Sequence, residues 1–160
     1  NMSYYAGKIV DRLKQNNLII STAESCTGGL VAAALVDVPG VSEYFAQGFV
    51  TYSDKAKHKL LKVPKKILKK YTAVSKKTAK FMAAGAAKRA NADIAVSVTG
   101  IAGPDGGTKE KPVGLVYIGC YYRGESKVRK FIFDGDRSDV RKKACEAALE
   151  FVFDRLCEEI

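Results

Sequence analysis

The chain holds 160 residues, 47% of them hydrophobic and 28% charged, with a formal charge of +10. That length suits one packed domain, and the composition is that of a folded, water-exposed protein rather than a disordered or fibrous one. No apolar run approaches the roughly 18 residues of a membrane span and no charged-then-apolar leader opens the chain. The expected setting is therefore the cytoplasm, with no membrane partner.

Asn1, ahead of Met2, reads as an added residue, so the expected domain is 2–160. Residues 4–16 carry Ile9, Val10 and Leu13 at helical spacing and predict a first amphipathic helix. The short β-branched run 17–22 ("NLIIST") predicts a buried strand. Thr27-Gly28-Gly29 then leads into an alanine-rich helix, "LVAAALVDV", which Pro39-Gly40 stops. "AQGFVTYS" (46–53) predicts a second strand, with Ser53 or Asp54 capping the helix that follows. Pro64 suits the first turn of another short helix, and Ser75 begins a long one rich in small residues.

"DIAVSVTG" (93–100) predicts a strand that runs into a glycine- and proline-rich loop. Two β-rich runs joined at Arg123-Gly124-Glu125 predict a hairpin, and a final helix follows Asp136 with apolar positions 140, 144, 148, 149, 152 and 156. Helices and strands alternate and the hairpin comes late. The expected fold is one α/β domain, a three-layer α/β/α sandwich with a mixed, mostly parallel sheet.

Cys26, Cys120, Cys145 and Cys157 show no C-x-x-C spacing and have only His58 as a histidine companion. That pattern reads against a zinc site and against a disulfide framework. Cys145 and Cys157 fit a helical pattern in which a thiol serves as a small core hydrophobe. Lysines crowd residues 55–80, where they read mainly as solvated helix faces.

Ligands of open α/β sheets collect at the carboxyl ends of strands. Three such ends here are polar or glycine-rich: 21–29, 51–57 and 99–108. In the first, "STAESCTGG", free N–H groups at a helix start favour an anion or a developing oxyanion, and Gly28 and Gly29 let backbone approach a ligand. Ser25 and Cys26 are the rival nucleophiles. His58 has no carboxylate to orient it, so a Ser-His-Asp triad is not expected. A desolvated lysine can take the place of histidine. The second end offers Lys55 and Lys57, between which periodicity does not choose, and Tyr52 as a proton relay or a core filler. In the third, Thr99, Gly100, Gly103, Gly106, Gly107 and Thr108 supply flexible backbone and hydroxyls suited to a small polar ligand. Neither a G-x-x-x-x-G-K-[ST] nor a G-x-G-x-x-G pattern is present, so ATP and NAD are not the expected ligands.

"TAESCTGG", "VTYSDKAK", "AVS", "TGIAGPDGGTKEKPVGLVYIG" and "FDGDRSDVR" together resemble the CinA carboxy-terminal domain family, over about residues 5–157. Characterised members act as nicotinamide-nucleotide amidases (NMN deamidases). The resemblance implies the stand-alone form, without the molybdopterin-binding-like domain that precedes it in many relatives. It implies hydrolysis of nicotinamide mononucleotide (NMN) to nicotinate mononucleotide and ammonia, without a metal or other cofactor. The family's serine falls on Ser25, its tyrosine on Tyr52 and its lysine on Lys57, which places Lys57 ahead of Lys55.

Ser25 would attack the carboxamide with Lys57 taking its proton, directly or through Tyr52. Backbone N–H groups from Cys26 through Thr27 to Gly28 and Gly29 would bind the substrate, and the 99–108 loop would hold the nucleotide. Asp54 stands where the family commonly has Asn, and its carboxylate would favour the protonated lysine. Lys62 and Thr72 stand where glycine is frequent; Arg137 and Arg141 match family positions as site or structural residues. The alternatives are a nucleotide-binding module without catalysis and a competence-linked nucleic-acid-associated protein. A reading helix or stacking platform for specific nucleic-acid binding is not seen. Whether the chain forms a homo-oligomer stays open.

Overall fold

In the computed structural model, residues 2–158 are described, with side chains from Tyr4 onward; the expected domain end at 159–160 lies outside them. The strands β1 (Ile20–Glu24), β2 (Phe49–Val50), β3 (Ile94–Gly100), β4 (Leu115–Tyr122) and β5 (Glu125–Ile132) form one sheet, in the order β2-β1-β3-β4-β5. β1 pairs in parallel with β2 and β3, while β4 runs antiparallel to both β3 and β5. Four strands therefore share one direction and β4 opposes them, which makes the sheet mixed.

The helices are α1 (Met2–Asn16), α2 (Leu30–Val36), α3 (Asp54–Leu61), α4 (Lys65–Tyr71), α5 (Lys76–Ala90) and α6 (Arg137–Leu156). α1, α2 and α6 pack together over one face of the sheet, and α5 covers the other with α3 and α4 against it. The expected three layers are present.

Period-two alternation sorts β3 between the faces. Ile94, Val96 and Val98 join the core beneath α6, while Ala95 belongs to the smaller apolar cluster beneath α5. On the α5 side Ser97 donates to the carbonyl of Ala79, and a Cβ at Gly119 would meet that same carbonyl oxygen. Small residues on both surfaces let α5 lie close to the sheet.

α6 opens with a reciprocal capping box between Asp136 and Asp139, and its six expected apolar positions are all buried. Ser53 and Ser75 cap α3 and α5 by accepting from Ala56 and Thr78. The hairpin turns on Arg123 and Gly124, both at positive φ, as the twist of a two-residue connection requires.

Two expected strands moved. β1 starts three residues later than the apolar run suggested, because Asn17 takes a left-handed conformation after α1. The strand then carries Ser21, Thr22 and Glu24 into the interior. β2 shrinks from 46–53 to two residues that pair with Ala23 and Glu24; the chain turns away after Val50 to start α3. Cys145 is buried as expected, but Cys157 is exposed at the end of α6 and fills no core space.

Candidate active site

The order β2-β1-β3 places the carboxyl ends of these three parallel strands side by side. Backbone hydrogen bonds lock them there: the Ser25 N–H donates to Val98 O and the Thr51 N–H to Glu24 O. The three polar strand ends read from the sequence thus share one edge.

Lys57 is carried into this edge by the phase of α3. It lies one turn before Leu61, and both side chains are buried. Lys55 falls on the solvent side of the same helix. The Lys57 Nζ lies 3.1 Å from Ser25 Oγ, donates to Thr51 O at 2.9 Å and approaches Tyr52 O at 3.4 Å. No carboxylate among the described residues forms an ion pair with it. Burial lowers its pKa from 10.5, and Asp54 and Cys26 push weakly the other way. The Asp54 carboxylate therefore does not reverse the shift.

Ser25 is 8% exposed. Cys26 beside it packs in the core beneath α2 and α6, and burial raises its thiol to about 11, so at neutral pH it is a protonated thiol. That burial disfavours the thiolate in which Cys26 would attack, and it is the Ser25 hydroxyl that contacts Lys57.

Glu24 gives the turn its shape. Its carboxylate is fully buried and accepts from the N–H groups of Gly29, Val31 and Ala32. The start of α2 is thereby capped from five residues upstream, in place of a cap on Gly29 itself. Those N–H groups are spent. Gly28 N–H donates to Ser25 O, leaving the N–H groups of Cys26 and Thr27 without a backbone acceptor. Arg141 reaches from α6 and donates to the carbonyls of Cys26 and Thr27 at 2.9 and 3.1 Å. In a trans peptide the following N–H points away from the carbonyl, so holding Cys26 O fixes the direction of the Thr27 N–H. The hydroxyls of Thr22, Thr27 and Thr51 are buried without a hydrogen-bond partner among the described residues.

The other residues read from the sequence divide by position. The Tyr52 hydroxyl accepts from Arg137 Nη2 at 3.0 Å, and Arg137 Nη1 also donates to Gly103 O at 2.8 Å. One arginine thus ties the second and third strand ends across the edge, and the phenol does not stand between Lys57 and Ser25. Ala102, Pro104, Val113, Arg137 and Arg141 line a cavity of about 530 Å³ beside this bridge.

Further along the loop the contacts are internal. Thr99 donates to Ala73 O, Gly100 packs against Val116, and Thr108 accepts from the Lys111 N–H. Gly106 and Gly107 are exposed on that outer half. Lys111 donates to Tyr71 O, Thr72 Oγ1 and Val74 O, which anchors the loop to the α4–α5 connection. His58 contacts Val63 O through Nδ1 and takes no part in the edge. Glu24 and Lys111 were missed in the sequence. Glu24 left a signal, a carboxylate just ahead of a glycine pair and a helix, whereas Lys111 is one lysine among many. Among the described residues no three of His, Cys, Asp and Glu are grouped to hold a metal ion.

The model of the CinA C-terminal domain family matches residues 3–156. The chain is 54% identical over 144 residues to a CinA-like protein of Kosmotoga olearia and 51% identical over 144 residues to one of Dictyoglomus thermophilum. Those matches cover 90% of this chain and 35% of each relative, so the chain spans about a third of their length. Among solved structures it resembles the competence/damage inducible protein CihA of Agrobacterium tumefaciens, at 42% identity and a TM-score of 0.94. That match covers 98% of this chain and 96% of the other. It also resembles the competence damage-inducible protein A of Klebsiella pneumoniae, at 34% identity and a TM-score of 0.96, covering 100% and 99%.

Proposed function

The chain belongs to the CinA C-terminal domain family, and from that premise we propose that it is a serine amidohydrolase converting NMN to nicotinate mononucleotide and ammonia. The observation that carries this reading is the 3.1 Å contact between Ser25 Oγ and a buried Lys57 Nζ with no carboxylate partner. Burial favours the neutral amine, whose lone pair then accepts the hydroxyl proton as Ser25 Oγ adds to the carboxamide carbon.

The oxyanion forms opposite the free N–H groups of Cys26 and Thr27, with Arg141 fixing the Thr27 peptide. The Lys57 ammonium returns the proton to the leaving nitrogen, the C–N bond breaks and ammonia departs. Water, deprotonated by Lys57, then adds to the ester carbon; as the bond to Ser25 Oγ breaks, the Lys57 ammonium returns the proton to Oγ and the acid leaves. Every proton is accounted for without a metal. The Tyr52–Arg137–Gly103 bridge and the cavity beside it form the wall on which the nucleotide would lie.

The test is ammonia release from NMN by the purified chain and by Ser25→Ala and Lys57→Ala. Each variant should lose about a thousandfold or more in turnover while keeping the fold. Undiminished turnover in Ser25→Ala overturns the mechanism. An inactive wild type that NMN still stabilises against heat points to a binding module instead.

A further inference from the structure

The positive charge of this chain is not spread over it. Residues 54–92 hold thirteen Lys and Arg against one acid, Asp54, whereas the rest holds fourteen against sixteen. The whole excess therefore sits on α3, α4 and α5. Part of it lines one cavity of about 620 Å³ between α3 and α4, bounded by Asp54, Lys55, His58, Lys59, Lys62, Lys65, Leu68 and Lys69. The five lysines are exposed, and none of their ammonium groups is hydrogen-bonded or ion-paired to another described residue.

This arrangement costs stability. Lys55 with Lys59, and Lys65 with Lys69, are like charges one helical turn apart, each pair mildly unfavourable. Lys62 sits at φ 60 after α3, in the left-handed region where glycine is the low-cost residue. Five lysines line one concavity with a single carboxylate residue, Asp54, beside them. The natural complement is a compact anion of several charges.

We propose that the α3–α4 cleft binds a polyphosphorylated small molecule of the nucleoside polyphosphate class. The cavity has the size of a small-ligand site, with Leu68 and the lysine stems offering apolar contact to a base beside the phosphates. A nucleic acid strand fits less well, because the cleft is a concavity rather than a track and His58 is the one ring along it, with no Phe, Tyr or Trp to form a stacking platform. The cleft lies on a different face of α3 from Lys57, so it is separate from the Ser25 edge and its test does not depend on the hydrolase reading.

The test is calorimetric titration of ATP and of inorganic tripolyphosphate into the whole chain at about 0.15 M salt, where diffuse surface attraction is largely screened. Three proteins are compared: wild type; the cleft variant Lys55→Gln, Lys59→Gln, Lys69→Gln; and the control Lys77→Gln, Lys80→Gln, Lys88→Gln, which removes equal charge from α5. Saturable one-to-one binding to wild type is expected, weakened about tenfold or more in the cleft variant and within about twofold in the control. ATP binding tighter than tripolyphosphate assigns the base a contact; equal affinities assign the site to the phosphates alone, and either result supports the cleft. Equal losses in the two variants, or no binding to wild type, overturn the proposal. So does a single-stranded oligonucleotide that binds the cleft more tightly than either probe.

Discussion

Lys57 is 1% exposed, and its amine is surrounded by two carbonyls and a hydroxyl without a paired carboxylate. Its folded pKa therefore lies below 10.5, so between that depressed value and 10.5 the unfolded chain binds the extra proton. The penalty this residue imposes is complete below the depressed value and disappears as pH rises to 10.5. Under the proposed mechanism turnover should follow the same titration, because the base would have to be neutral. With NMN, kcat/KM should climb with pH along a limb whose midpoint lies below 10.5 and which is missing from any residual activity of Lys57→Ala. A flat wild-type profile contradicts Lys57 as base. Lys57→Met keeps the stem and removes the charge, along with the donor to Thr51 O, so at neutral pH it should recover part of that penalty while abolishing turnover. The gain should fade toward pH 10.5 in thermal melts. At this scale the sequence showed the right residue types but not their partners. Ser25 and Lys57 are 32 positions apart, and the phase of α3, which turns Lys57 inward with Leu61 and Lys55 outward, is set by packing that the sequence pattern did not decide.

Elements were legible wherever local chemistry decided them. The serine caps of α3 and α5, the capping box of α6 and the Arg123–Gly124 hairpin stand where their side chains or backbone preferences put them. The strands β1 and β2 moved because tertiary contacts override apolar patterning. β1 buries Ser21 against Gln47 O and Glu24 against three N–H groups, which no hydrophobicity pattern marks as interior. The approach of α5 to α3 is another non-local feature, and one substitution tests it. A Cβ at Gly85 would fall on the carbonyl oxygen of Leu61, the last residue of α3. Alanine gains about 1 kcal/mol of helix propensity there, yet must push α3 aside. The net loss should be on the order of 2 kcal/mol in urea unfolding, with reduced turnover because Lys57 is one turn from the displaced carbonyl. Gly7 in α1 meets nothing within 4 Å, so Gly7→Ala should stabilise instead, by about 1 kcal/mol. Equal effects of the two substitutions would show that α5 does not press on α3.

Across the whole molecule the two edges of the sheet carry different duties. The carboxyl ends of β1, β2 and β3 gather Ser25, Lys57 and the unpartnered threonine hydroxyls, a polar arrangement that costs stability. The opposite edge, where Ile94 pairs with Tyr122, is tied down by Arg155. This arginine is 4% exposed and donates to the carbonyls of Cys120, Tyr122 and Glu125, and it pairs with Glu158 at 2.6 Å. It fastens the end of α6 to the β4–β5 hairpin, so one helix and both strands of the hairpin depend on one planar fork of donors. Arg155→Met would fill much of the volume but leave those carbonyls without their donor, at a cost of about 3 kcal/mol. For a chain of this size that corresponds to a fall in melting temperature of roughly 6–12 °C. Because the strands separate Arg155 from the Ser25 edge, kcat and KM at a temperature well below the melt should stay within about twofold of wild type. A comparable fall in turnover at that temperature would mean that the two edges move together. In that case the hairpin end of the sheet would belong to the machinery that holds Lys57 against Ser25.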